Sequence, residues 1–263
     1  MTGFKGGSRA AWSNLLRSFG DLLFPPRCLV CSELIGSDGE KKFPFSFIRD
    51  VCPACGKGFL TIPKAHCRCC GIPFKTSIPT IHTCALCRGK PPAFDQALAA
   101  GQFSENLRKA IHVFKYNGRG ELARPLAGFM AQELGPPFLP PLTELILPVP
   151  LHWRRLRERG FNQALFLAKE LFAAYEDRIS YDLLVRTRWT EPQINFSGPE
   201  RHKNVRHAFS VTNPQKVKGK SVMLVDDVFT TGATANECAR VLKKAGAETV
   251  LVLTLARVTY LNY

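Results

Sequence analysis

Asp226 and Asp227 follow directly on the apolar run Val222 to Val225, and Thr230, Thr231, Gly232, Ala233 and Thr234 follow them. A short unbroken apolar run is expected of a strand buried on both faces of a parallel sheet. Open α/β sheets bind their ligands just outside the carboxyl ends of such strands. A threonine- and glycine-rich turn feeding a helix presents free backbone N–H groups and a positive dipole end, which suits a phosphate. The two carboxylates need a separate reason, because neighbouring charges at a buried strand end are costly unless compensated. A polyhydroxylated sugar or a bound Mg²⁺ would satisfy them. Adjacent strand residues point to opposite faces, so the pair is expected to share a ligand only if the strand ends at Val225.

A second chemistry lies upstream. Nine of the ten cysteines fall between Cys28 and Cys87, eight of them as the pairs Cys28/Cys31, Cys52/Cys55, Cys67/Cys70 and Cys84/Cys87. A Cys-x-x-Cys turn aims two thiolates at one ion, and two such turns complete a tetrahedral four-sulfur zinc site. Eight placed cysteines therefore predict two structural Zn²⁺ ions with no open coordination position. Sequential pairing joins the first two pairs and the last two, while interleaved pairing is the alternative. Cys69 is left over, and His66 and His82 are substitute ligands in reserve. Gly56 and Gly71 suit the tight turns beneath the metals. Redox-active Cys-x-x-Cys is the competing reading, but it usually comes once, beside a βαβ unit.

A third cluster is cationic. The apolar run Leu145 to Val149 leads into Leu151, His152, Arg154, Arg155, Arg157 and Arg159, a turn whose guanidinium forks suit phosphate oxygens. Residues 186–209 carry Arg186, Gln193, Arg201 and Asn204 with little apolar periodicity, and read as a mobile loop of the kind that closes over a substrate.

The elements positioning these groups follow from periodicity. Trp12, Leu15, Leu16, Phe19, Leu22 and Leu23 predict an amphipathic helix over residues 9–24, ended by Pro25 and Pro26. Residues 95–103 predict a first strand, and 106–116 and 121–134 predict helices. A helix is expected from Gly160 onward with the stripe Phe161, Leu165, Ala168, Leu171 and Tyr175. Another is expected over 233–245, with Ala235, Cys238, Ala239 and Leu242 in the core. A last buried strand is expected at 249–255. Strands alternating with helices argue for a parallel sheet. The predicted organisation is a helix at 1–26, a double zinc ribbon at 27–90 and an α/β domain at 91–263.

The bulk numbers agree with that plan. A chain of 263 residues with 45% hydrophobic and 10% aromatic residues has material for a packed core. The formal charge of +15 points to anionic partners, phosphorylated small molecules or nucleic acid. Cysteine pairs of metal-binding kind indicate a reducing compartment, so the expected location is cytoplasmic, and no apolar run reaches the length of a membrane span.

The segment Val222 to Thr234 resembles the 5-phosphoribosyl-1-pyrophosphate (PRPP) motif of type I phosphoribosyltransferases. The whole chain resembles the ComF family, linked to bacterial competence and DNA uptake. That resemblance rests on Leu23-Phe24-Pro25-Pro26-Arg27-Cys28, the cysteine pairs, Phe114-Lys115-Tyr116, Pro148-Val149-Pro150-Leu151-His152, Arg157 to Gln163, Arg201 with Asn204-Val205, and the PRPP motif. It implies a type I phosphoribosyltransferase fold, a mostly parallel sheet with flanking helices, preceded by a small double zinc ribbon. It further implies that Asp226 and Asp227 take the ribose hydroxyls and that Thr230 to Thr234 wrap the 5′-phosphate. Leu151, His152 and Arg154 would form the pyrophosphate loop, and 186–209 the flexible loop.

The implied reaction is Mg²⁺-dependent phosphoribosyl transfer from PRPP to an acceptor. The alternative is a non-catalytic DNA-binding or adaptor module that keeps the PRPP pocket, with single-stranded or branched DNA and DNA-uptake proteins as partners. Glutamine-dependent relatives use an N-terminal cysteine on a separate domain. Here Met1-Thr2 leads into the helix and ribbons, so glutamine hydrolysis by this chain is not expected.

Overall fold

In the computed structural model, the structure describes residues 25–35, 50–76, 78–135, 143–191 and 198–259. The helix expected at 9–24 and the loop residue Gln193 lie outside the described residues.

The cysteine region carries little regular structure: one turn of helix α1 (Pro53–Gly56), the two-residue strands β1 (His66–Cys67) and β2 (Ile81–His82), and helix α2 (Ala85–Gly89). Beyond it the chain alternates: β3 (Gln96–Gln102), α3 (Glu105–Tyr116), α4 (Ala123–Leu134), β4 (Leu145–Pro148), α5 (Trp153–Arg159) and α6 (Gln163–Leu171). It continues with β5 (Leu184–Arg186), α7 (Gly198–Val205), β6 (Phe209–Val211), β7 (Ser221–Phe229), α8 (Ala233–Lys244) and β8 (Thr249–Arg257).

Strands β3, β8, β7 and β4 lie in that order in one sheet, each neighbouring pair parallel. Alternation along β7 and β8 sends side chains into two cores. Met223, Val225, Leu253 and Leu255 pack with Leu107, Ile111, Phe114, Met130 and Leu167 of helices α3, α4 and α6. Val222, Leu224, Val250 and Val252 pack with Ala235, Cys238, Ala239 and Leu242 of α8, the stripe expected for that helix. The result is three layers with the sheet buried on both faces, which explains the unbroken apolar runs. Edge strand β3 is covered by the ribbons: the Ala97 N–H donates to the Cys69 carbonyl and the Gln102 N–H to the Leu60 carbonyl, both at 2.7 Å. That covering removes an open pairing edge.

Four expectations are corrected. β7 does not end at Val225 but runs to Phe229, because β8 stays in register beside it to Arg257, pairing Asp226 with Thr254 and Val228 with Ala256. The arginine turn after Pro150 is helical, since His152 caps α5 with a ring nitrogen that accepts from the Arg154 N–H at 3.3 Å. Segment 186–209 is not loop throughout: β5 pairs antiparallel with β6, and α7 occupies its second half. Such three-residue strands are too short to leave a periodic signal. Helix α6 begins after Asn162, whose side chain accepts from the Ala164 N–H, so its buried face is Ala164, Leu167 and Ala168, not the stripe through Phe161 and Leu165. Tyr175 falls beyond its end, in a 3₁₀ segment. Among the described residues no helix is long and apolar enough to cross a membrane.

Candidate functional site

The carboxyl end of β7 carries Asp226, Asp227 and the turn that follows them. Asp226 carries on the face of Val222 and Leu224, toward α8. It lines a shallow pocket with Thr230, Gly232, Ala233, Thr234 and Thr254. Asp227 carries on the opposite face, where it is buried and accepts from Lys115 Nζ at 2.8 Å. The strand continues, so the two carboxylates diverge as alternation requires, and any ligand they share must straddle the sheet edge. The Asp227 N–H also donates to Asp226 Oδ1 at 2.8 Å.

Burial, then the neighbouring Asp227 carboxylate, pushes the Asp226 carboxyl up to about 7, against the opposing pull of Lys115, the Asp227 N–H and Arg186. Such a group is poised to accept hydroxyl hydrogen bonds or a cation that compensates its charge.

The turn that follows is tightly constrained. Gly232 caps α8 in the left-handed region (φ 78°), and a Cβ there would lie 2.5 Å from Phe229 Cζ, so only glycine fits. The Ala233 N–H reaches Thr231 Oγ1 at a long 3.4 Å, and α8 is twelve residues long, so its first-turn amides and dipole face the pocket.

The residues expected to face pyrophosphate follow β4, whose last residue, Pro148, pairs with Val225. The Val149 N–H donates to the Val225 carbonyl at 2.8 Å, carrying β4 to the same edge, and half-buried Leu151 follows. His152 is buried, its basicity lowered by burial and then by Arg154 and Arg186. Arg154 spends its backbone N–H on the cap and lays its guanidinium 5.4 Å from the Trp153 ring and 5.7 Å from the Trp189 ring.

Of the flexible-loop candidates, Arg186 stands on β5 over the Phe209 ring and donates to Thr190 Oγ1, so it is a strand residue. Its charge acts on both His152 and Asp226. Arg201 and Asn204 lie on α7, where Asn204 Nδ2 donates to the Glu191 carbonyl at 2.9 Å.

Lys115 was not among the sequence-selected site residues. The triplet Phe114-Lys115-Tyr116 was visible, but its partner lies 112 positions away and only the packing of α3 on the sheet joins them.

The cysteines form two groups, Cys28, Cys31, Cys52 and Cys55, and Cys67, Cys70, Cys84 and Cys87, the Sγ atoms of each within 4.8 Å of one another. Pairing is therefore sequential. A tetrahedron of zinc–sulfur bonds of ~2.3 Å puts its sulfurs ~3.8 Å apart. The Cys31–Cys52 and Cys70–Cys84 separations of 3.6 and 3.9 Å fit that geometry. Burial raises the Cys28 and Cys67 thiols, but backbone N–H donors overcome it and bring both down to about 7, whereas burial and the neighbouring sulfurs push Cys31, Cys55, Cys70 and Cys87 up. His66 and His82 take no part: His66 Nδ1 lies 3.0 Å from the Pro63 carbonyl and His82 stacks on Phe74. Of the two glycines, Gly71 is left-handed (φ 67°), whereas Gly56 simply closes α1.

Residues 158–259 match the phosphoribosyl transferase domain model. The chain is 33% identical over 211 residues to the DNA utilization protein YhgH of Escherichia coli O6:H1, covering 79% of this chain and 90% of that one. The chain belongs to the ComF family. Within that family it is also 30% identical to competence protein F of Haemophilus influenzae, over 79% of this chain and 90% of that protein. Competence protein ComFC of Bacillus subtilis is 28% identical over 88% of this chain and 94% of its own length. The sheet and helices of this ComF-family chain are a type I phosphoribosyltransferase fold, preceded by two four-cysteine clusters of zinc-ribbon kind.

Proposed function

We propose that the chain binds PRPP with Mg²⁺ at the carboxyl edge of the sheet and transfers its phosphoribosyl group to an acceptor in DNA uptake or processing. The observation that carries the reading is the left-handed Gly232 turn opening α8 at the end of the strand that bears Asp226 and Asp227. The turn's amides would hold the 5′-phosphate, and the two carboxylates, one on each side of the strand, would hold the ribose hydroxyls. Leu151, His152 and Arg154 would frame the pyrophosphate, while Arg186, Arg201 and Asn204 would border it from the 186–209 segment.

In the transfer, the acceptor's lone pair forms the bond to the anomeric carbon as the carbon–oxygen bond to pyrophosphate breaks, and pyrophosphate leaves with that electron pair. Mg²⁺ entering with PRPP supplies charge neutralisation of the leaving group. The chain supplies guanidinium charge that would stabilise the departing pyrophosphate. None of its residues needs to act as a nucleophile.

Zinc in the two cysteine clusters would be structural, because four thiolates leave no open position. We read 27–90 as the ribbon module and 91–263 as the transferase domain, in a reducing, cytoplasmic setting. Calorimetric titration with Mg²⁺–PRPP tests the pocket: binding is expected in the wild type and lost in Asp226→Ala/Asp227→Ala with the fold intact. Unchanged affinity in a folded double variant would reject the assignment.

A second reading, a DNA-binding or adaptor role without catalysis, has its own support. Trp153 is 55% exposed, with Arg154 and Arg157 within 5.4 Å of its ring, and Arg155 joins Arg154 over Trp189. Aromatic faces among guanidiniums suit stacked bases and phosphates of a single strand. The names of the relatives, DNA utilization and competence proteins, agree with a DNA partner for either reading.

A further inference from the structure

Arg257, the last residue of β8, is 4% exposed. Its Nη2 donates to Cys70 Sγ at 3.6 Å, and its guanidinium carbon lies 4.4 Å from the centroid of the Phe229 ring. Nε and Nη1 are fully buried and have no hydrogen-bond partner. Among the described residues no carboxylate lies within ion-pair distance of it. A guanidinium held this way is an expensive object, since buried charges persist only when paired.

The missing counter-charge is beside it. Four thiolates on a divalent ion carry a net formal charge of −2, and Cys70, to which Arg257 donates, is one of the four sulfurs of the second cluster. The first cluster is arranged differently: Arg119, at its knuckle, gives its hydrogen bonds to the Leu29 carbonyl and Ser32 Oγ instead of to sulfur.

We infer that Arg257 is the buried counter-ion of the second four-cysteine site, and that this pairing ties the second ribbon to the strand end beneath the turn before α8. The tie continues through a ring. The Phe229 ring lies against the guanidinium and 5.8 Å from the Phe94 ring, and its Cζ occupies the space a side chain at Gly232 would need. The ribbon adds a direct contact, the Cys69 carbonyl on the Ala97 N–H at 2.7 Å, with Gly71 packed so closely that a Cβ would lie 2.9 Å from the Ala97 carbonyl oxygen. Groups that hydrogen-bond metal ligands commonly set metal affinity by about 10–100-fold when removed. This inference concerns the metal alone and does not rest on the PRPP reading.

Full-length protein loaded with ¹¹³Cd tests it. The wild type should give two four-thiolate cadmium resonances, with the first site assigned through Cys31→Ser. Arg257→Met should move the second-site resonance alone, and chelator should strip zinc from that site about 10–100-fold faster than from the first. Arg257→Lys, which keeps the charge without the planar fork, should show the same asymmetry more weakly, and it carries the test should the methionine variant fail to fold. Two unmoved resonances with equal zinc release from both sites, or equal disturbance of both, would overturn the pairing.

Discussion

Lys115 Nζ and Asp227 Oδ1 meet at 2.8 Å, the lysine side chain 19% exposed and the aspartate 11%, joining the end of α3 to the carboxyl end of β7. The pair explains why one of two adjacent carboxylates tolerates burial. Removing the lysine alone leaves a buried charge unpaired, whereas removing both charges does not. Lys115→Met should therefore cost about 3 kcal/mol in urea unfolding. Lys115→Met/Asp227→Asn should recover most of that loss, and a double variant no more stable than the single one would disprove the coupling.

Asp226 predicts a pH dependence with a definite sign. Burial and Asp227 raise its carboxyl to about 7 in the folded chain, above its ordinary value of 3.8. The native state then binds the extra proton, so the contribution is fully present below pH ~4 and is lost as pH rises to and through about 7. Every tenfold change in proton affinity between the folded and unfolded chain corresponds to ~1.4 kcal/mol. Asp226→Asn should raise stability at pH 8 by on the order of 1–3 kcal/mol and leave it unchanged at pH 4. Thermal melts at the two pH values measure this, and an equal effect at both would contradict the raised carboxyl.

Gly232→Ala tests the turn. The left-handed conformation costs a non-glycine residue ~1–2 kcal/mol. The new Cβ would also meet Phe229 Cζ at 2.5 Å, so the ring must move. The expected outcome is a loss of at least ~2 kcal/mol together with strongly weakened Mg²⁺–PRPP binding. A variant of wild-type stability would show that the turn yields without cost.

Two Zn²⁺ per chain are expected by elemental analysis of protein purified without chelator. The ribbons have little hydrophobic core of their own, and structural zinc supplies ~10–16 kcal/mol of apparent binding energy to such modules. Strong chelation should therefore unfold the ribbons and uncover β3, seen as new amide exchange at Ala97 and Gln102, whose N–H groups are held by ribbon carbonyls. One zinc or none would contradict the two-site geometry.

Single-stranded DNA binding should fall steeply with salt. Arg157→Ala should flatten the log–log slope by ~1. Trp153→Ala should weaken binding by ~1–3 kcal/mol with the slope unchanged. Fluorescence anisotropy across a salt series separates the two. Binding insensitive to salt and to both substitutions would remove this surface from the DNA reading.

What the amino-acid sequence determined by itself was whatever depends on local spacing. Two residues between paired cysteines are enough to turn two sulfurs toward one point, so the four pairs were legible, and the fold decided which of them share a cluster. Buried parallel strands must be apolar on both faces, so Leu145 to Val149, Val222 to Val225 and Thr249 to Leu255 announced the sheet, and Gly232 announced the turn into α8. The tertiary structure decided what depends on residues far apart in the chain. Strand β8, running alongside, carried β7 past Asp226 and Asp227 and so split the carboxylates between two faces. The packing of α3 brought Lys115 to one of them across 112 positions. The docking of a ribbon on β3 set Cys70 against Arg257, 187 positions later. Charges at such separations meet only when a core forces them together, and no local pattern records which core that will be.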